Sequence, residues 1–219
     1  MNKKVICCFL GVSAFIACNR LDESVVDNHV VISQKGGKTI AYSPESGINI
    51  LYEDGYAFKD LNRNGCIDIY EDWRRSASDR AEDLASQMSI EEIAGLMLYS
   101  KHMAVPHISS TDPMKYTYGG KSFSDSGADT TDLSDNQKIA LKDDNLRHIL
   151  VTKVSSPSAA ARWNNNLQAF AESLPLGIPA NNSSDPRNET RATDEFNEGS
   201  GGQASRWPTP LGLGASFDP

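Results

Sequence analysis

Residues 147–183 carry the pattern that leaves this chain the fewest choices. "RHILVTKV" (Arg147 to Val154) is an apolar, β-branched run of strand length. Pro157 follows after Ser156, a proline suited to a first helical position. Trp163, Leu167, Phe170, Ala171 and Leu174 then fall on one face of an amphipathic helix. "GIPANNSSDP" reads as a short strand leading into a polar loop. A strand, a helix and a strand joined in this way suit a parallel βα unit rather than a bundle or a sandwich.

The segment before it continues the alternation. Ala81, Leu84, Ala85 and Met88 follow helical spacing from Ser76 onward. Ser89 with Glu92 forms a capping box that starts a second helix through Ile93, Leu96 and Met97, with Gly95 inside it. Residues 101–133 are polar and hold Gly119-Gly120, so a long loop is expected there. Residues 187–205 are polar and Gly-rich, with "GSGG" (Gly199 to Gly202) reading as linker, and "WPTPLGLGASFDP" reads as apolar and strand-like. Nearer the start, "HVVIS", a Gly36-Gly37 turn and "KTIAYS" suggest a small hairpin within a tether at 18–50, with plain disorder there as the other reading.

Composition narrows the class. Hydrophobic residues make up 39% and charged ones 23%, which suits a globular protein, and the net charge of −8 with no basic run argues against nucleic acid as a partner. Lys3 and Lys4 precede the apolar run Val5 to Ala17, which is too short to span a bilayer as a helix. The expectation is a secretion signal over residues 1–17. "FIAC" resembles a lipoprotein cleavage box, despite Phe15 in place of the usual leucine, with Cys18 as the lipidated residue; an ordinary signal peptide or an uncleaved anchor are the other readings. The implied location is the periplasm or outer membrane. Cys7 and Cys8 would leave with the signal, so Cys66 remains without an internal disulfide partner, and a cysteine-based zinc site is excluded.

"DLNRNGCIDIYE", residues 60–71, places oxygen-bearing side chains at alternate positions around one glycine. Such loops bind calcium through positions 1, 3, 5, 7, 9 and 12, with glycine at 6. Here these are Asp60, Asn62, Asn64, the backbone carbonyl of Cys66, Asp68 and Glu71, with Gly65 at the turn. Hard oxygen ligands favour calcium over zinc. The bland alternative is a turn rich in Asp and Asn that caps the following helix. The residues upstream do not read as a helix, so the loop stands alone and predicts a structural ion.

Other chemistry is sparse. His29, His102, His107 and His148 are scattered, with no helix-spaced pair, and are read as structural or solvent-facing. Ser183 and Ser184 lack the glycine pattern of a hydrolase nucleophile. Asp185 differs, because it follows a strand, and residues after parallel strands line barrel active sites. A turn-forming Asp before Pro186 is the plainer reading.

Three ordered segments, "FKDLNRNGCIDIYEDWRRSASDRAEDLASQMSIEEIAGLML", "AARWNNNLQAFAESLPLGIPANNSSDPRNE" and "WPTPLGLGASFDP", together resemble the N-terminal part of glycoside hydrolase family 3. The resemblance implies the start of a (β/α)8 TIM-type barrel over residues 51–219, so the expected fold class is α/β with an incomplete barrel. It implies exo-acting, retaining hydrolysis of β-glucosides by an aspartate nucleophile and a glutamate acid/base, with β-linked oligosaccharides or glycosides as substrates. Asp185 matches the family's sugar-hydroxyl-binding aspartate. The family's nucleophile segment and Lys-His pair lie beyond "SFDP" and have no match here, so the chain is expected to be a fragment, inactive alone. The rival expectation is a non-enzymatic, calcium-binding surface lipoprotein.

Overall fold

A computed structural model describes residues 21–107, 116–154, 156–183, 196–197, 208 and 210–216. Cys18, Asp185 and the "GSGG" segment lie outside the described residues. The chain divides into two compact units, Met1–Gln87 with Pro175–Gly177, and Met88–Leu174 with Ile178–Pro219.

The first unit is built on antiparallel strands. β1 (Leu21–Val26), β2 (His29–Gln34) and β3 (Ile40–Tyr42) form one sheet, and β4 (Asn49–Glu53) and β5 (Tyr56–Asp60) form a hairpin. The expected "HVVIS"–"KTIAYS" pair is β2 with β3. Asp27-Asn28 and Asp54-Gly55 turn the two tight hairpins, all four at positive φ, the backbone that two-residue turns between twisted strands require. Val30, Ile32 and Ala57 make a small core, flanked by Leu21, Ile40, Tyr42 and Ile50. The Gln34 side chain joins the two sheets. It donates to the Ala57 carbonyl (3.1 Å) and accepts the Ala57 N–H (2.7 Å), as a neighbouring strand would. The unit ends with α1 (Ala77–Gln87), which starts where the spacing places it but has no fully buried residue.

In the second unit, α2 (Ile90–Leu96) begins with the capping box read from Ser89 and Glu92. Gly95 is required by close approach, because a Cβ there would sit 2.5 Å from both the Asn145 Cβ and the Asp144 carbonyl oxygen. β6 (Tyr99–Val105) comes next, followed by α3 (Phe123–Ser126) and α4 (Asp135–Lys142). The long loop expected over 101–133 is therefore corrected: most of β6 and all of α3 fall inside it. Ser, Lys and His interrupt the apolar residues of "YSKHMAV", and the strand carries two register shifts against its neighbour, so no clean alternation marks it.

β7 (His148–Val154), α5 (Pro157–Ser173) and β8 (Asn181–Ser183) form the unit read from the sequence. β7 lies between β6 and β8 and is parallel to both, while β9 (Phe196–Asn197) pairs with it antiparallel. The Ser156 hydroxyl caps α5 by accepting the Ala159 N–H at 3.1 Å. Trp163, Leu167 and Ala171 are fully buried on one stripe, and Trp163 and Leu167 pack with Met103, Val105, Leu141, Ile149 and Val154. At the stripe's edge, Gln168 holds Ala180 by both backbone groups, at 2.8 and 3.0 Å. Residues Pro210–Gly214 form a short helix, α6, where a strand-like run was expected. Among the described residues the sheet is open, and no closed barrel is seen.

Candidate functional site

Two places in the fold hold the residues singled out by sequence. One is the loop between β5 and α1. Asp60, the last residue of β5, is fully buried at 0% exposure. Its carboxylate accepts the backbone N–H groups of Asn64 (3.0 Å) and Gly65 (3.1 Å) and the Asn49 side-chain amide (3.2 Å). Gly65 sits at φ 78° with open space around its missing Cβ, so backbone conformation rather than crowding selects glycine. The Asn62 and Asn64 side chains both donate to Asp68 Oδ2, at 2.6 and 2.8 Å, drawing three side chains to one point. Their carbonyl oxygens accept the N–H groups of Asn64 (3.1 Å) and Cys66 (2.8 Å).

Glu71 closes the loop. It is 4% exposed and accepts the N–H groups of Leu61 (2.6 Å), Asn62 (3.3 Å) and Asp68 (3.0 Å). Burial raises its pKa above the usual carboxylate range, with these backbone N–H groups acting in the opposite direction. Beside it, the Tyr70 hydroxyl is buried. Its pKa is raised by burial first, then by the charge of Glu71 and a hydrogen bond to it, with smaller contributions from Asp68 and Asp60. Tyr70 stands at loop position 11, where nothing in the sequence pattern points to it. All six residues expected to hold calcium thus lie in one turn. Among the described residues, however, no three His, Cys, Asp or Glu side chains are gathered as a bound ion would gather them.

Helix α1 grips this loop through polar contacts. Asp83 accepts the Tyr70 N–H at 3.0 Å, and Arg80 donates to the Tyr70 carbonyl at 2.8 Å. On the far side, Trp73 stacks on Phe58 at 5.3 Å and donates to the Ala57 carbonyl at 3.1 Å. Arg74 binds Asp72 at 2.8 Å and Glu53 at 2.6 Å, and lowers the Asp72 pKa by its hydrogen bond.

The other place is the C-terminal edge of the parallel strands, where ligands of parallel α/β sheets collect. β8 ends at Ser183, two residues before Asp185. A cavity of about 560 Å³ is walled by Val154 and Trp163 on its apolar side and by Asn164, Gln168, Asn182 and Ser183 on its polar side. Asn182 donates to Asn164 Oδ1, while its own carbonyl oxygen is buried without a partner. Ser183 meets the Tyr99 hydroxyl. His107, just past β6, packs on Tyr116 at 3.9 Å and lies 3.3 Å from the Ser134 hydroxyl. Burial lowers its pKa to about 4, so the ring is neutral at physiological pH. The sequence pattern marked none of Tyr99, Asn164 or Asn182, because side chains from distant segments meet only once the sheet forms.

No family model matches the chain. It is 36% identical over 174 residues to the periplasmic beta-glucosidase/beta-xylosidase of Dickeya chrysanthemi, a match covering 78% of this chain and 24% of that protein. It is 30% identical over 164 residues to beta-glucosidase C of Emericella nidulans, covering 73% of this chain and 22% of the relative. For the probable beta-glucosidase C of Aspergillus oryzae the identity is 27% over 167 residues, covering 75% and 23%. Relatives of this kind place the chain among homologues of glycoside hydrolases. More particularly, it is a homologue of β-glucosidases and β-glucosidase/β-xylosidases of the glycoside hydrolase family 3 type, which bears out the resemblance read from its sequence. The chain spans about a quarter of the length of the curated relatives it matches.

Proposed function

We propose that this chain is the N-terminal part of a secreted, exo-acting, retaining β-glycosidase, with the first βα units of a TIM-type barrel. The observation that carries the reading is β8: a strand parallel to β7 that ends two residues before Asp185, within a segment that resembles the family's sugar-binding motif. Asp185 accepts hydrogen bonds from hydroxyls of the sugar whose bond is cleaved. Such bonds strengthen as the ring flattens towards an oxocarbenium-like transition state, so they act on the rate as well as on affinity. The aspartate nucleophile and glutamate acid/base are assigned to none of these 219 residues. A signal over residues 1–17 and a lipid on Cys18 carry the enzyme to the periplasm or outer membrane, where β-linked oligosaccharides reach it.

The test is hydrolysis of aryl β-glucosides and β-xylosides by the natural gene product. Release of the aglycone with retained anomeric configuration is expected, with Asp185→Asn lowering kcat/KM by about 10²-fold or more, the loss of roughly 3 kcal/mol of transition-state binding. The 219-residue polypeptide alone is expected to leave these substrates intact. Inverted product, or an Asp185→Asn variant of full activity, overturns the assignment.

A further inference from the structure

We propose that Asn164 of α5 is a positioning residue: it holds Asn182, and so fixes the end of β8, from which the chain leads into Asp185 two residues later. The proposal rests on the sugar-binding role given above to Asp185. β8 is three residues long and, among the described residues, pairs with β7 alone. So short a strand needs further contacts to keep its place, and α5 supplies them. Gln168 holds both backbone groups of Ala180, and Asn164 holds the Asn182 side chain. The spacings agree. Residues four apart on a helix are separated by a rise of about 6 Å, and residues two apart on a strand by about 6.6 Å. One turn of α5 therefore matches one repeat of β8, and a slip of one residue would turn Asn182 away from the helix.

The orientation of each amide follows from its neighbour. The Ala180 N–H can only donate, so Gln168 presents Oε1 to it, at 3.0 Å. Gln168 Nε2 then faces the Ala180 carbonyl at 2.8 Å and Asn164 Oδ1 at 3.4 Å. Asn164 Oδ1 also accepts from Asn182 Nδ2. The last amide in this row is thereby turned so that its oxygen is buried and, among the described residues, lacks a donor. A carboxamide left to itself turns to avoid that loss. Asn182 does not, so its conformation is imposed by Asn164. The ladder with β7 fixes β8 along the sheet, and Asn164 fixes its tilt towards the helix. Without Asn164 that tilt is free beyond Ala180, which lies five residues before Asp185. A displacement of about 1 Å at a substrate contact can lower a rate by about 10²-fold.

The experiment uses the natural gene product with an aryl β-glucoside. Asn164→Leu keeps the branched shape of the side chain and removes the acceptor, and is expected to lower kcat/KM at least about tenfold. Asn164→Asp keeps an oxygen that both N–H groups can meet, and is expected to stay within about threefold of the parent. Asn182→Ala removes the same contact without touching α5 and is expected to repeat the loss. In an Asp185→Asn background, Asn164→Leu is expected to cost less than about twofold more, because the carboxylate it positions is gone. A merely structural role would cost the same in both backgrounds. Full activity of Asn164→Leu or Asn182→Ala, equal losses in Asn164→Asp and Asn164→Leu, or an undiminished loss in the Asp185→Asn background each overturns the proposal. A parent that cleaves no glycoside instead overturns the proposed function, and amide hydrogen exchange in the 219-residue chain then decides the positioning of β8. There Asn164→Leu is expected to speed exchange at Ser183 at least about fivefold while Leu167 is unchanged. Equal exchange at Ser183 in parent and variant overturns it.

Discussion

Single residues in this chain are fixed by what stands within a few ångströms of them. Gly95 is the plainest case, since any Cβ there enters a backbone carbonyl. Gly95→Ala is expected to destabilise the second unit by about 1–3 kcal/mol, read as a lowered urea midpoint at unchanged m-value. His107 gives the protein an acid limit. Its folded pKa of about 4 lies below the ordinary 6.5, so its contribution to stability is complete above pH 6.5 and is lost as pH falls toward 4. Exchanging it for Asn is expected to flatten the fall in melting temperature over that interval, and proton NMR of the ring is expected to show no titration until well below pH 6. At this scale the sequence was legible only where spacing encodes geometry. The loop positions from Asp60 to Glu71 could be numbered from their alternation, whereas Tyr70 and Asn182 reach their places through burial and long-range approach, which leave no local pattern.

Elements were legible in proportion to how completely one face is buried. α5 has a cap, a first-turn proline and a continuous apolar stripe, so its limits could be read directly. Ser156→Ala is expected to cost about 1 kcal/mol by freeing the Ala159 N–H, and Trp163→Ala about 3–5 kcal/mol by opening a cavity under the sheet. Chemical denaturation followed by circular dichroism measures both, and an effect of the Trp163 change no larger than that of Ser156 would contradict the placement of the core. β6 was hidden for the opposite reason. Its register shifts break the two-residue period, so its polar residues made it look like loop. α6 was read as strand-like because a five-residue apolar piece carries too few positions for either period to show.

At the scale of the whole molecule, apolar surface is unevenly distributed. Ile90, Met97, Leu98 and Tyr99 are 74, 83, 52 and 56% exposed along α2 and the start of β6, close together in sequence. Such a patch binds hydrophobic dyes and favours association. Met97→Glu combined with Leu98→Ser is expected to reduce dye fluorescence and raise solubility while leaving the far-ultraviolet spectrum intact. The division into an antiparallel unit and a parallel one was less legible than the elements themselves, because β1 and β4 are short, largely exposed strands with little apolar alternation.

The paired bonds from Gln168 to Ala180 have a consequence for how the chain assembles. A helix side chain stands in for a neighbouring backbone, so the place of β8 is specified partly by a helix that precedes it in the chain. During synthesis α5 leaves the ribosome before β8 does. The helix can therefore settle on β7 and wait as a splint, and the strand that follows is received in register as it emerges. Gln34 awaits Ala57 in the same manner in the first unit, so both halves of the molecule can be built in the order in which they are translated.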